Sequence, residues 1–210
     1  MLKHILSIML VLVSTMTFAE DFVEGKDYMV IKAGENPVSS KDSVTVTEFF
    51  SYGCPWCYKL EPALNQWVKQ QDTKISYNRV PVVFNKDWEY YAKAYYAAQA
   101  LGQGSKLNPA LFKAILDDKR SLNSTQAMID FFVSQGVDAS TAQSAFQNST
   151  AIEMEVDASK RQMAQFQISG VPALVVNNQF KTDLQMAKSQ ERLFAILDFL
   201  INKAHKEKAS

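Results

Sequence analysis

The chain of 210 residues carries 22 Lys plus Arg against 22 Asp plus Glu, so it has no net charge with which to draw nucleic acid or an anionic membrane surface. Hydrophobic residues make up 47%, with 13 Phe and 8 Tyr, a content that builds a core and excludes an intrinsically disordered chain. Two Cys and two His (His4 and His205) are too few for a structural zinc site of about four such ligands, and no metal is expected.

In chain order, Met1-Leu2-Lys3-His4 is a short basic start, Ile5 to Val13 an apolar run, and Thr17-Phe18-Ala19 a stretch with small residues where signal peptidase inspects them. This layout predicts a secretory signal cleaved after Ala19. An apolar run of roughly a dozen residues is shorter than the ~20 that a membrane-spanning helix needs. The mature chain of about 190 residues is expected to be exported and soluble, as one compact domain or one with a sizeable insertion.

Tyr28 to Lys32 reads as a first strand, followed by a loop with Gly34, Asn36-Pro37 and Ser39-Ser40. Val44 to Phe50 is a second strand, rich in β-branched and aromatic residues. Ser51-Tyr52-Gly53 breaks it, and a helix follows from about Pro55 to Gln70, with Pro in the first turn where it is favoured. Ile75 to Phe84 reads as a third strand. From about Trp88 to Phe166 apolar residues recur at helical spacing, predicting helices over Trp88–Leu101, Pro109–Leu116, Ala127–Gln135 and Thr150–Phe166. Asn123-Ser124-Thr125-Gln126 and Ser140-Thr141 look like helix starts. Ser169-Gly170-Val171-Pro172 ends this block. Ala173 to Val176 is a short strand, Asn177-Asn178 a tight turn, Gln179 to Lys181 its hairpin partner, and a last helix spans about Lys188 to Lys203. The expected layout is an α/β sheet interrupted by an all-helical insertion: signal 1–19, sheet domain 20–84 and 170–210, insertion 85–169.

Both cysteines, Cys54 and Cys57, lie in one Cys-Pro-Trp-Cys run. A bridge across so short a loop constrains the unfolded chain very little, so stability is a poor reason for it. A strand that turns directly into a helix places Cys54 at the helix N-terminus, where free N–H groups and the helix dipole favour the thiolate. A disulfide whose reduced form is so stabilised is readily reduced, and therefore oxidises other thiols. Cys57, one turn on, is the expected resolving thiol. In Val44–Phe50 the alternation puts Glu48 on the face of Val44, Val46 and Phe50, where a buried carboxyl with a raised pKa could exchange protons with Cys57. The other reading of Glu48 is a side chain that escapes to solvent.

Phe49-Phe50-Ser51-Tyr52-Gly53-Cys54-Pro55-Trp56-Cys57 after a strand, Pro62 in the following helix and Val171-Pro172 before a later strand together resemble the thioredoxin superfamily. The helical insertion resembles the DsbA family of periplasmic oxidases. The resemblance implies a thioredoxin fold with an inserted helical domain and a cis Val171–Pro172 peptide facing the disulfide, with Val171 and Pro172 as a docking edge for extended substrate. It also implies an acidic residue in the role read for Glu48. Trp56 departs from the His common in DsbA-like proteins; it reads either as an apolar contact for clients or as packing over the disulfide. Pro62 reads as a helix kink.

The implied activity is a protein disulfide oxidase that needs no cofactor beyond the Cys54–Cys57 disulfide. Its partners would be reduced, folding exported proteins and a quinone-linked membrane reoxidase like DsbB. Superfamily isomerases usually carry an N-terminal dimerisation region, and the roughly 25 residues between Ala19 and the second strand are too few for one. A monomeric periplasmic oxidase is therefore expected, with an isomerase or reductase, and a thiol-bearing chaperone or metal carrier, as the alternatives. The triplets Asn123-Ser124-Thr125 and Asn148-Ser149-Thr150 suit helix starts better than glycosylation.

Overall fold

The fold is organised by β2 (Val44–Phe50), a strand in which all seven residues are buried. Its side chains alternate between two cores: Val44 and Val46 enter one, Phe49 the other. The computed structural model describes residues 22–31 and 43–209; the signal expected at 1–19 and the loop around Gly34 lie outside the described residues.

β3 (Ile75–Pro81) pairs parallel with β2, placing Arg79 opposite Glu48. β4 (Ala173–Val176) pairs antiparallel with the other edge of β2, and β5 (Phe180–Asp183) with β4. β1 (Met29–Val30) closes the five-stranded order β1-β5-β4-β2-β3. Parallel pairing of β2 and β3 requires a crossover, supplied by α1 (Pro55–Gln71). α1 and the C-terminal α8 (Gln190–Ala209) cover one face, packing Leu60, Leu64, Leu193, Ile196 and Leu200 against Val44, Val46, Leu174 and Val176. Trp67 fastens the two helices, its ring stacked on Phe194 at 5.8 Å and its Nε1 donating to Asp198 at 3.0 Å.

Between β3 and β4 the chain is helical: α2 (Lys86–Ala100), α3 (Gly104–Phe112), a π-helical turn (Lys113–Asp117), α4 (Thr125–Ser134), α5 (Ala139–Gln147) and α6 (Thr150–Gln165). Their core of Leu107, Leu111, Phe112, Met128, Phe131, Phe132 and Phe146 is continuous with Phe50, Tyr52 and both cysteines. The short α7 (Leu184–Ala187) links β5 to α8. Among the described residues no helix is long and apolar enough to cross a membrane.

Several elements differ from the sequence expectation. α3 begins at Gly104, five residues before Pro109, without a side-chain cap to mark its start. α5 begins at Ala139, beside the start expected at Ser140-Thr141, and is capped by Asp138 Oδ1 on the Thr141 N–H; only Ala142 and Phe146 of it are buried, too few for a periodicity that would have marked its extent. β3 stops at Pro81, short of the expected Phe84, and its last bond to β2 is from the Val82 N–H to the Phe50 carbonyl at 2.8 Å. The expected Ser124 start is the α4 cap, accepting from Ala127 N–H at 3.2 Å, and Ser149 caps α6 on Ile152 at 3.3 Å. Asn177 and Asn178 take φ of 53° and 55°, the left-handed pair that a two-residue hairpin turn needs and that Asn tolerates.

The N-terminal segment is held by Asp27, which is buried. Its carboxylate accepts from the Val23 N–H at 2.9 Å and pairs with Arg192 of α8 at 2.8 Å, while its carbonyl accepts from Thr182 Oγ1 at 2.8 Å. Asp27→Ala removes the acceptor of the Val23 N–H and the buried carboxylate facing Arg192, and is expected to cost about 2–4 kcal/mol, read as a lower urea midpoint with an unchanged m-value. An unchanged midpoint would remove this clasp from the account of stability.

Candidate active site

β2 ends at Phe50 and α1 begins five residues later, so the intervening turn carries Cys54 to the N-cap position of α1. Ser51 shapes this turn: its carbonyl accepts from the Cys54 N–H at 3.0 Å and its hydroxyl from the Gly53 N–H at 3.1 Å. The Cys54 sulfur then does what Ser or Asp does at an ordinary N-cap: it accepts the backbone N–H of Cys57, three residues on, at 3.1 Å. Both cysteines are free thiols. A hydrogen bond from the Cys57 thiol, opposed by desolvation and aided by the Cys57 and Trp56 backbone N–H groups, holds the Cys54 thiol below its ordinary pKa. Cys57 is pushed the opposite way, by burial first and then by its bond and charge interaction with Cys54. One sulfur is shifted toward the anion and its neighbour toward the protonated thiol.

Glu48 is fully buried on the face of β2 that α1 covers. Its Oε2 accepts from Tyr77 Oη at 2.5 Å and lies 2.7 Å from Arg79 Nε, but that N–H is not aimed at it well enough to donate, and Oε1 accepts nothing. Burial therefore raises the Glu48 pKa, with Arg79 pulling it down and the Glu61 charge pushing it up. Arg79 forks onto Glu61 of α1 through Nη1–Oε1 at 3.0 Å and Nη2–Oε2 at 2.7 Å, and its guanidinium lies 4.0 Å from the centre of the Phe50 ring. Sequence reasoning found Glu48 but missed Tyr77, Arg79 and Glu61. The available signal was a single charged residue, Arg79, within β3, opposite the one acid of β2.

The Val171–Pro172 peptide is cis, and the Val171 carbonyl lies 3.5 Å from Cys54 Sγ, a residue 117 positions away in sequence. Thus Cys54, Cys57, Glu48, Val171 and Pro172 come together. Trp56 does not pack over the pair: it is 61% exposed, with Lys59 Nζ 4.6 Å from its ring centre. Pro62 sits inside α1, where it removes the bond a residue 62 N–H would make to the Tyr58 carbonyl. Two tyrosines tie the cysteine segment to the helical block, Tyr52 Oη donating to Asn108 Oδ1 at 2.7 Å and Tyr58 Oη to Asp117 Oδ2 at 2.8 Å. A cavity of about 730 Å³ between β3, α2 and α6 reaches Tyr77 and Arg79 but neither cysteine, so it lies behind the site rather than at it.

Residues 45–199 match the family model described as a DSBA-like thioredoxin domain. The thiol:disulfide interchange protein DsbA of Burkholderia cepacia is 39% identical over 184 residues, covering 88% of this chain and 86% of that protein. Its counterpart in Pseudomonas aeruginosa is 30% identical over 88% of this chain and 87% of its own length. Among solved structures, Pseudomonas aeruginosa DsbA superposes with a TM-score of 0.84 at 29% identity, over 91% of this chain and 99% of that one. The Xylella fastidiosa oxidoreductase DsbA gives 0.79 at 27% identity, over 90% and 98%.

The asymmetry of the two sulfurs has a pH signature. Followed by the ultraviolet absorbance of the thiolate, the reduced protein is expected to show one thiolate forming below the ordinary thiol value of about 8.5 and the second absent across that range. Because the folded Cys54 pKa is depressed, the stability that reduced protein holds over Cys54→Ser should be present above the ordinary value and fade as pH falls through the Cys54 titration. A stability difference independent of pH would show that the cap does not stabilise the anion.

Proposed function

Since the chain belongs to the family of DsbA-like thioredoxin domains, we infer that it is a thiol:disulfide oxidoreductase that hands the Cys54–Cys57 disulfide to proteins folding after export. The observation that carries this reading is the opposed state of the two sulfurs, an anion-stabilising cap at Cys54 and a buried thiol at Cys57.

In the oxidised protein a client thiolate attacks Cys54 Sγ. The Cys54–Cys57 bond breaks, and its electron pair leaves on the Cys57 sulfur, which takes up a proton. A second client thiolate attacks the client sulfur of the mixed disulfide, and Cys54 leaves as the capped thiolate. The client gives up two electrons and two thiol protons; the protein gains the electrons and one proton at Cys57, and the other proton goes to solvent. Stabilising the Cys54 leaving group favours the second step and makes the disulfide oxidising.

Glu48 is the proton donor to Cys57 in this reading, supported by its burial and raised pKa beneath α1. Val171 and Pro172 form the edge on which an extended client backbone docks, supported by the Val171 carbonyl lying against Cys54. Trp56, exposed at the helix start, is an apolar contact for clients. The disulfide is the only redox group this reaction requires. The setting is the periplasm, reached through the signal at residues 1–19, and the reduced protein is returned to the disulfide by a quinone-linked membrane partner of the DsbB kind. A single chain supplies every group named.

Equilibrated with glutathione buffers, the pair is expected to be at least as oxidising as glutathione; a far more reducing pair would reassign the protein to reduction or isomerisation. Glu48→Gln should slow release of Cys57 about 100-fold, the low end of general acid–base contributions, while leaving the thiolate titration of Cys54 in place. An unchanged rate would remove Glu48 from the proton path.

A further inference from the structure

We propose that the cleft beside Gly53 is a subsite for one large, uncharged side chain of the client, a neighbour of its attacking cysteine, and that Trp88 and Leu116 set this preference. The proposal rests on the oxidoreductase reading above and deepens it.

The cleft has a volume of about 380 Å³ and begins one residue before the nucleophile. Asn85 caps α2 by accepting the Trp88 N–H at 3.0 Å, which fixes the first turn so that Trp88 and Tyr91, three apart, share one wall. The Trp88 indole lies directly over Gly53: a Cβ at residue 53 would stand 2.4 Å from Nε1, so only glycine allows this approach. The facing wall is Ile115 and Leu116, two successive apolar residues presented by the π-helical turn, a distortion that recurs at functional sites. Trp88 and Val171, whose carbonyl meets Cys54, both pack against the buried core that holds the two cysteines. The cleft therefore opens on the turn before Cys54, and its Trp88 wall rests on the same core as Val171.

Its occupant follows from position and charge. A client chain that reaches Cys54 Sγ carries its neighbouring side chains past Gly53, within a residue or two of the cleft mouth. Lys86 and Asp87 on the rim offset one another, so the rim selects neither sign of charge, and Asn85, Trp88, Tyr91, Ile115 and Leu116 complete an uncharged lining. Phe84, 42% exposed, lies 5.5 Å from the Trp88 ring and extends the apolar surface outward. A Phe, Leu or Trp side chain fits this chemistry; a charged one would be desolvated without a partner.

The test uses the oxidised protein and short dithiol peptides alike except for one Phe moved through positions −2 to +2 around the first cysteine of a Ser background. At one position Phe should raise kcat/KM over the Ser peptide about tenfold, the discrimination an apolar pocket supplies. In Trp88→Ala and Leu116→Asn that ratio should fall close to one. Because the ratio is taken within each variant, it does not depend on how much of the variant is folded, and Leu116→Asn carries the test if Trp88→Ala fails to fold. No preferred position, or a preference retained in Leu116→Asn, overturns the subsite while leaving the oxidase intact. A protein that oxidises none of the peptides overturns the disulfide-donor reading, and the subsite with it.

Discussion

The hydrogen bond from the Cys57 backbone N–H to the Cys54 sulfur joins the fold of this protein to its chemistry. It closes a helix N-terminus, where unpaired N–H groups must find acceptors. A sulfur accepts this bond better as thiolate than as thiol, so satisfying the helix and ionising the cysteine are one event. The sheet makes this possible: β2 is buried along its whole length and delivers the chain to the start of α1 through a turn held by Ser51. A looser connection would let the helix fray at the residue whose charge matters.

Beneath that helix the protein keeps a set of groups that are not fully reconciled. Glu48, Tyr77, Arg79 and Glu61 share one guanidinium between two carboxylates, with Glu48 Oε1 left without a hydrogen bond. Burying charge in this way is a poor route to stability, since desolvation consumes most of the Coulombic gain. Its value is chemical: Glu61 secures Arg79 with two hydrogen bonds, so Glu48 is the member of the set whose protonation is contested by burial and by the neighbouring cation. The charge of the same carboxylate works against ionisation of both cysteines, behind burial and their mutual hydrogen bond, which makes its proton relevant to each sulfur.

Much of this was legible in the sequence where local chemistry and tertiary context agree. Strand β2, the start of α1 at Pro55, strand β4 and the Asn177-Asn178 turn could be read because β-branched runs, proline at a first helical turn and paired Asn have narrow backbone preferences. The start of α3 could not, since it lacks a cap; of α5 only the start at Ser140-Thr141 could be read, since a helix that buries two side chains shows no periodicity to mark its extent. At the site, period-two alternation put Glu48 inside, but no local pattern shows that Tyr77 and Arg79 cross from the next strand or that Glu61 answers from the helix. Trp56 illustrates the converse. Between two cysteines a tryptophan reads equally as lid or as contact, and only the helix geometry turns it outward.

Tyr52 and Tyr58 stand on either side of the cysteine pair, and their hydroxyls reach Asn108 and Asp117, nine residues apart on α3 and the π turn that extends it. Mechanically, the four-residue redox segment is a short beam clamped at both ends to one support. Displacement of that support relative to the sheet carries the two sulfurs together and preserves their spacing. The Val171 carbonyl belongs to a different strut, the connection from α6 to β4, and is outside the clamp. The construction separates the gap between the sulfurs, set within one rigid piece, from the gap between Cys54 and the docking edge, set between two.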